Sequence, residues 1–164
     1  AEDYSDLSQN RWYNPAGMSN STRGVIAGGA RSDIEYITMS STATGVTFGD
    51  LASGDIRYSN GSGSSTRGII AVAYVASPAS AVNTVEYITI STLGNAADFG
   101  DISSTNTKYY GGAAANATRA LWHGSYSGVD IHYVTMSTTG NSSDFGDQLV
   151  ASNTLQSHSS GNAS

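Results

Sequence analysis

The chain has 164 residues, of which only 12% are charged, and 13 acidic side chains against 7 basic ones leave a net charge of −6. That balance argues against a reader of nucleic-acid phosphates, which needs clustered Lys and Arg, and 0 Cys excludes a disulfide framework and a thiolate site. Gly, Ser, Thr, Asn and Ala dominate beside 38% apolar residues, the composition of an exposed β-rich structural protein with enough apolar residues for a core, and no apolar run reaches the length of a membrane span.

From the N-terminus, residues 1–21 align without a gap on the stretch 44 residues downstream: Tyr4 falls on Phe48, Asp6 on Asp50, Leu7 on Leu51, Gly17 on Gly61 and Thr22 on Thr66. The chain is therefore expected to open with a half repeat holding the third and fourth strands of a four-stranded unit. Repeats over 22–65, 66–117 and 118–164 follow, within one repeat domain spanning 1–164. Each starts with a Thr-Arg pair, at Arg23, Arg67 and Arg119.

The first strand of each repeat is predicted in a small, apolar run: Gly24-Val25-Ile26-Ala27-Gly28-Gly29, then Gly68-Ile69-Ile70-Ala71-Val72-Ala73, then Ala120-Leu121-Trp122-His123-Gly124. Small residues there predict close approach of neighbouring backbones. The second strand, Asp33-Ile34-Glu35-Tyr36-Ile37-Thr38-Met39, returns as Val85-Glu86-Tyr87-Ile88-Thr89-Ile90 and as Ile131-His132-Tyr133-Val134-Thr135-Met136. Its faces are both partly apolar, which predicts a strand covered on both sides, as in stacked sheets.

Thr92-Leu93-Gly94-Asn95 and Thr139-Gly140-Asn141 then read as turns, because Gly and Asn tolerate positive φ. The third strand carries the recurrent step Phe48-Gly49-Asp50, Phe99-Gly100-Asp101 and Phe145-Gly146-Asp147. A weaker fourth strand, at Asp55-Ile56-Arg57-Tyr58-Ser59 and Thr107-Lys108-Tyr109-Tyr110-Gly111, is expected at an outer edge. Length varies between strands one and two: Arg23 to Glu35 is 12 residues, Arg67 to Glu86 is 19, and Arg119 to His132 is 13. The insertion from Val75 to Asn83 reads as a loop on one face, commonly the binding face.

A four-stranded repeat of about 45 residues has the period of a β-propeller blade. More specifically, Thr22-Arg23-Gly24-Val25-Ile26-Ala27-Gly28-Gly29, Glu86-Tyr87-Ile88-Thr89-Ile90 and Gly94-Asn95-Ala96-Ala97-Asp98-Phe99-Gly100-Asp101 resemble the kelch-like, galactose-oxidase-type blades repeated in virion structural proteins of marine tailed phages, cyanophages especially. The resemblance covers essentially the whole chain and implies an all-β fold of propeller-like blades, about 3.5 per chain. Four blades need sixteen strands and fourteen are counted here, so the chain is read as a fragment of a longer repeat polypeptide, as one subunit completed by others, or as a different architecture. The alternative fold is a β-trefoil, although the Gln-x-Trp signature usual in trefoil lectins is absent.

Asp6, Asp50, Asp101 and Asp147 supply one carboxylate per repeat, too few for a calcium loop, and are read as turn-holding residues that pair with Arg23, Arg67 and Arg119. Phe48, Phe99 and Phe145 are expected to be buried between sheets. His123, His132 and His158 fit no zinc spacing, and His132, standing where other copies have Glu35 and Glu86, is expected to be half exposed. No nucleophile elbow and no singled-out carboxylate pair is present, so no enzyme, metal or cofactor is expected. Aromatic residues outside the repeat pattern, Trp12, Tyr74, Trp122 and Tyr126, are the candidate ligand or partner contacts. Sequons at Asn20, Asn60, Asn116, Asn141 and Asn162 match what an Asn/Ser/Thr-rich chain produces by chance.

The resulting expectation is a non-enzymatic structural or attachment protein of a phage virion or other extracellular assembly: a fibre, decoration or adhesin component. Its partners would be further copies or other subunits met through strand edges, without nucleic acid or a membrane span. The alternative is a carbohydrate-binding lectin module that takes a cell-surface glycan.

Overall fold

The computed structural model describes residues 3–103, 111–123 and 128–151. All regular structure among them is β. Sheet 1 holds β1 (Ala16–Ser19), β2 (Arg23–Ala27), β3 (Asp33–Thr38) and β4 (Val46–Asp50). Sheet 2 holds β5 (Ile56–Gly63), β6 (Arg67–Ala76), β7 (Ala79–Ala81), β8 (Thr84–Thr89) and β9 (Ala97–Asp101). Sheet 3 holds β10 (Gly112–Ala115), β11 (Arg119–His123), β12 (Asp130–Thr135) and β13 (Ser143–Asp147). Each is an antiparallel meander, with β7 paired to β6 as a side branch in sheet 2. A register shift falls at the same place in all three, between Ile34 and Glu35, Val85 and Glu86, and Ile131 and His132.

The sheets are phased one strand earlier than the sequence repeats. The strand expected fourth in one repeat opens the next sheet: Ser19 pairs with Gly24 and Gly63 with Gly68 across tight turns. In sheets 1 and 3 these turns close when Asn20 and Asn116 accept the backbone N–H groups of the next Thr and Arg through Oδ1. Local hydrogen bonding of this kind makes a four-residue connection cheap, so the chain pairs forward. Strand β5 is buried from Ser59 to Gly63 rather than lying at an outer edge, which corrects the sequence expectation. Its small polar residues allow convergence: a Cβ added to Gly61 would lie 2.5 Å from the Gly17 carbonyl oxygen. Most of the second copy of this strand, residues 107–110, lies outside the described residues.

Of the two strands expected in the half repeat, the fourth forms as β1 and the third is reproduced only in its contacts. Residues 3–15 form no regular element, yet Gly45 N–H donates to the Asp6 carbonyl at 2.8 Å, as Ala96 N–H does to Asp50 and Ser142 N–H to Asp101, both also at 2.8 Å. The insertion expected as a loop instead extends β6 to Ala76 and turns back through β7 as a hairpin.

Sheet 2 lies between the other two, which explains its unbroken apolar run. Along β6, Ile70 and Val72 join one core with Val25, Ile34 and Phe48 of sheet 1, while Ile69 and Ala71 join another with Trp122, Val134 and Met136 of sheet 3. Alternation places successive residues on opposite faces, and here both faces are dry. No closed barrel forms among the described residues: the pairing ladders stay within each sheet, apart from the isolated bridge of Arg31 to Ile56.

Candidate functional site

The most elaborate constellation is a sheet-to-sheet contact built twice from the same residues. Gly94 N–H donates to the Phe48 carbonyl at 3.0 Å, and Gly140 N–H to the Phe99 carbonyl at 2.7 Å. Asn95 Oδ1 accepts from Asp50 N–H and Asn141 Oδ1 from Asp101 N–H, both at 3.0 Å. Arg23 Nη1 reaches the Ile90 carbonyl of the next sheet at 2.7 Å, and Arg67 Nη1 the Met136 carbonyl at 2.6 Å. Each guanidinium also stacks on its own sheet's tyrosine, Arg23 over Tyr36 at 4.7 Å, Arg67 over Tyr87 at 4.5 Å and Arg119 over Tyr133 at 4.5 Å.

The recurrent Asp residues therefore act through their main chain, and the expected Asp–Arg pairing is not the one formed. The arginines meet neighbouring carbonyls and ring faces, while the ion pairs among the described residues join Arg11 to Asp33 and Glu35, and Arg31 to Asp33. A carbonyl with unsatisfied lone pairs at a buried seam accepts from Arg without the desolvation penalty of a second charge.

The second position that ties sheets together is Glu35, Glu86 or His132. Glu86 is fully buried and accepts the N–H groups of Ala52 and Ser53, from the loop after Asp50, at 2.9 and 2.8 Å. Glu35 accepts from Ser8 Oγ in the lead-in. In the third copy Ser103 N–H donates to Ser142 Oγ at 2.9 Å, and Ser103 Oγ lies 3.4 Å from His132 Nδ1. His132 is thus buried, 5% exposed, rather than half exposed as expected; it fills the place of a buried carboxylate. Glu35 differs in facing Arg11, whose Nη2 lies 3.1 Å from it and 2.7 Å from Asp33, while Nη1 donates to the Gly28 and Asp33 carbonyls. Burial works to raise the Asp33 carboxyl, but the Arg31 hydrogen bond and the charges of Arg11 and Arg31 outweigh it and hold the group below its ordinary value of 3.8.

The candidate aromatic contacts separate. Trp12 is 64% exposed and Tyr74 half-buried, whereas Trp122 is 1% exposed, in the core between sheets 2 and 3, and so is not a surface contact. Apolar neighbours on both sides of a central seam absorb the ring; sequence spacing gave no sign of that. Tyr126 lies outside the described residues, as do Tyr109, Tyr110, His158 and Asn162. Tyr74 belongs to a chain of edge-to-face rings: Tyr13 to Tyr58 at 5.8 Å and Tyr58 to Tyr74 at 6.4 Å, with Arg57 stacked on Tyr13 at 4.7 Å. Tyr13, Asn14 and Tyr58 all have φ between 54° and 56°, a costly conformation for residues with side chains. Their backbones hold one another, Tyr58 N–H donating to the Tyr13 carbonyl and Ser59 N–H to that of Asn14.

Phe48 and Phe99 are buried as expected, but Phe145 is 53% exposed, because no following sheet covers it among the described residues. Of the sequon asparagines, Asn60 is buried, Asn20 and Asn116 close turns, and Asn141 bonds the preceding sheet. Among the described residues no three His, Asp or Glu side chains converge as a metal-ligand group. Arg11 was not singled out in the sequence, because it occurs outside the recurrent pattern. Asn95 was read only as a turn residue; its bond to Asp50 of the preceding sheet has no sequence signal beyond the repetition of Gly-Asn.

No protein-family model and no curated protein matches the chain. Among solved structures it is similar in fold to the computationally designed Ika4 protein, at TM-score 0.56 and 12% identity over 91% of this chain and 80% of that one. A fungal alcohol oxidase of the AA5 family, in complex with copper, gives a TM-score of 0.44 at 8% identity over 88% of this chain and 44% of that one. The first likeness is one of all-β fold alone.

Proposed function

We propose that this chain is a non-enzymatic structural or attachment protein, built of propeller-like blades, that works in a phage virion or another extracellular assembly as a fibre, decoration or adhesin component. The observation that carries this reading is the use made of the recurrent polar residues. Asp50, Asp101, Asn95, Asn141, Glu86, Arg23 and Arg67 are each engaged in joining one sheet to the next. A repeat whose polar side chains are spent on its own seams is conserving rigidity, and extended rigid modules suit load-bearing and display. The resemblance of the Thr-Arg and Phe-Gly-Asp steps to kelch-like virion repeats supplies the setting.

The lectin alternative gains one specific observation, the exposed Trp12 and Tyr13 beside the Tyr58–Tyr74 ring chain and Arg57. Aromatic faces next to a cationic donor are suited to stacking on sugar rings. Glycan-array screening together with native mass spectrometry separates the readings. Assembly into larger species with no glycan signal supports the structural part; glycan binding abolished by Trp12→Ala in a protein that does not assemble replaces it with the lectin.

A further inference from the structure

Sheet 3 presents an outward face whose counterparts in sheets 1 and 2 are covered. Val25 and Ile69 are buried where Leu121 is half-buried; Ile34 and Val85 are buried where Ile131 is half-buried; Phe48 and Phe99 are 3% and 2% exposed where Phe145 is 53% exposed. Three different positions change in the same direction. A face kept apolar in three copies and covered in two is a contact surface.

The glycines specify what covers it. A Cβ on Gly49 would stand 2.2 Å from the Gly94 carbonyl oxygen, and one on Gly100 would stand 2.5 Å from that of Gly140, so a side chain at either position would collide with the Gly-Asn turn seated on it. Gly146 has the same place and nothing within 4 Å. At the other end of the chain both halves of this pairing change together. The lead-in carries Ser5 in the glycine's place, and the turn it meets has Ala43-Thr44 in place of Gly-Asn, with Ser5 Oγ donating to the Ala43 carbonyl. Glycine on one side therefore goes with Gly-Asn on the other. Arg119 is likewise exposed, while Arg23 and Arg67 hold a carbonyl of the following sheet.

We infer that the outer face of sheet 3 is a docking surface for a fourth sheet of this repeat type that presents a Gly-Asn turn. The turn's glycine N–H donates to the Phe145 carbonyl, its Asn side chain accepts from Asp147 N–H, and Arg119 donates to a main-chain carbonyl of the incoming sheet. The occupant is not a second copy of sheets 1–3. In such a copy the Gly-Asn turns of sheets 2 and 3 are already seated on Gly49 and Gly100, and the turn of sheet 1 is held by Ser5 and Asp6. This inference deepens the structural reading by naming the partner of its seam.

The test adds residues 119–164 a second time after Ser164, with Phe145→Tyr in the added copy so that its peptides are distinguishable. Hydroxyl-radical labelling of Phe145 is then followed by mass spectrometry in the original and extended chains. Labelling that falls to the rate of Phe48 and Phe99 in the extended chain, and returns when the added Gly-Asn turn carries Gly140→Val and Asn141→Ala, is the expected result. Equal labelling of Phe145 with and without the added repeat overturns the inference, whether or not the added repeat folds. So does protection of Phe145 in the original chain on dimerisation, which sedimentation detects and which would leave the assembly role itself standing.

Discussion

Gly49 and Gly94 meet across the seam between sheets 1 and 2 so closely that a Cβ on Gly49 would lie 2.2 Å from the Gly94 carbonyl oxygen. The obstruction is backbone, which cannot rotate aside. Gly49→Val should therefore cost at least the roughly 1–3 kcal/mol of an overpacked core. Gly17→Ala, where the added Cβ meets nothing within 4 Å, should stay within about 0.5 kcal/mol of the parent. Urea titration of the two variants measures the difference; equal effects would contradict the seam.

Phe99 and Phe145 occupy equivalent positions with different cover, 2% and 53% exposed. Phe99→Ala should cost about 3–5 kcal/mol by leaving a cavity beside Trp122 and Val134, and Phe145→Ala less than about 1 kcal/mol. The midpoint shifts of the two variants at constant m-value check this.

Arg11 is the only cation facing the buried Glu35 carboxylate among the described residues. Arg11→Leu would strand that charge and should destabilise by about 3–5 kcal/mol. The double variant with Glu35→Gln should recover part of the loss, as a double-mutant cycle reads directly.

The Asp33 carboxyl is held below its ordinary value of 3.8, so the folded state favours its ionised form. The stability it contributes is present in full above that value and is lost as pH falls through the lower folded value. Thermal melts should show Tm falling on acidification below about pH 4, with a shallower fall in Asp33→Asn. An unchanged slope in the variant would remove Asp33 from the acid response.

The repeat and the two-sided burial of β8 were legible because alternation and recurrence are local properties of sequence. Cover is not. Phe99 and Phe145 sit in the same motif, yet one is core and the other surface, since burial depends on whether another sheet follows. The same holds for His132, which reads as a half-exposed strand residue in the place of Glu35 and Glu86 but is buried as they are, and for Trp122, a candidate surface ring that a neighbouring sheet encloses. The phase of the sheets was also hidden: it is decided by whether the strand before Thr-Arg turns back tightly, and although Asn20, Ser64 and Asn116 bond that turn from one repeat position, their recurrence does not say which way the strand pairs. Arg11 occurs once and had no repeat to mark it.

Hydrogen exchange at the turn amides tests the central claim most directly, that each sheet is fastened to the next by main-chain bonds from its Gly-Asn turn. Gly94, Ala96, Gly140 and Ser142 lie outside the pairing ladders, and each donates to a carbonyl of the preceding sheet. Their protection should match that of the inner strand amides of β6 and β11. Exchange of all four at the rate of exposed turn amides, while the strand amides stay protected, would contradict the stacked arrangement.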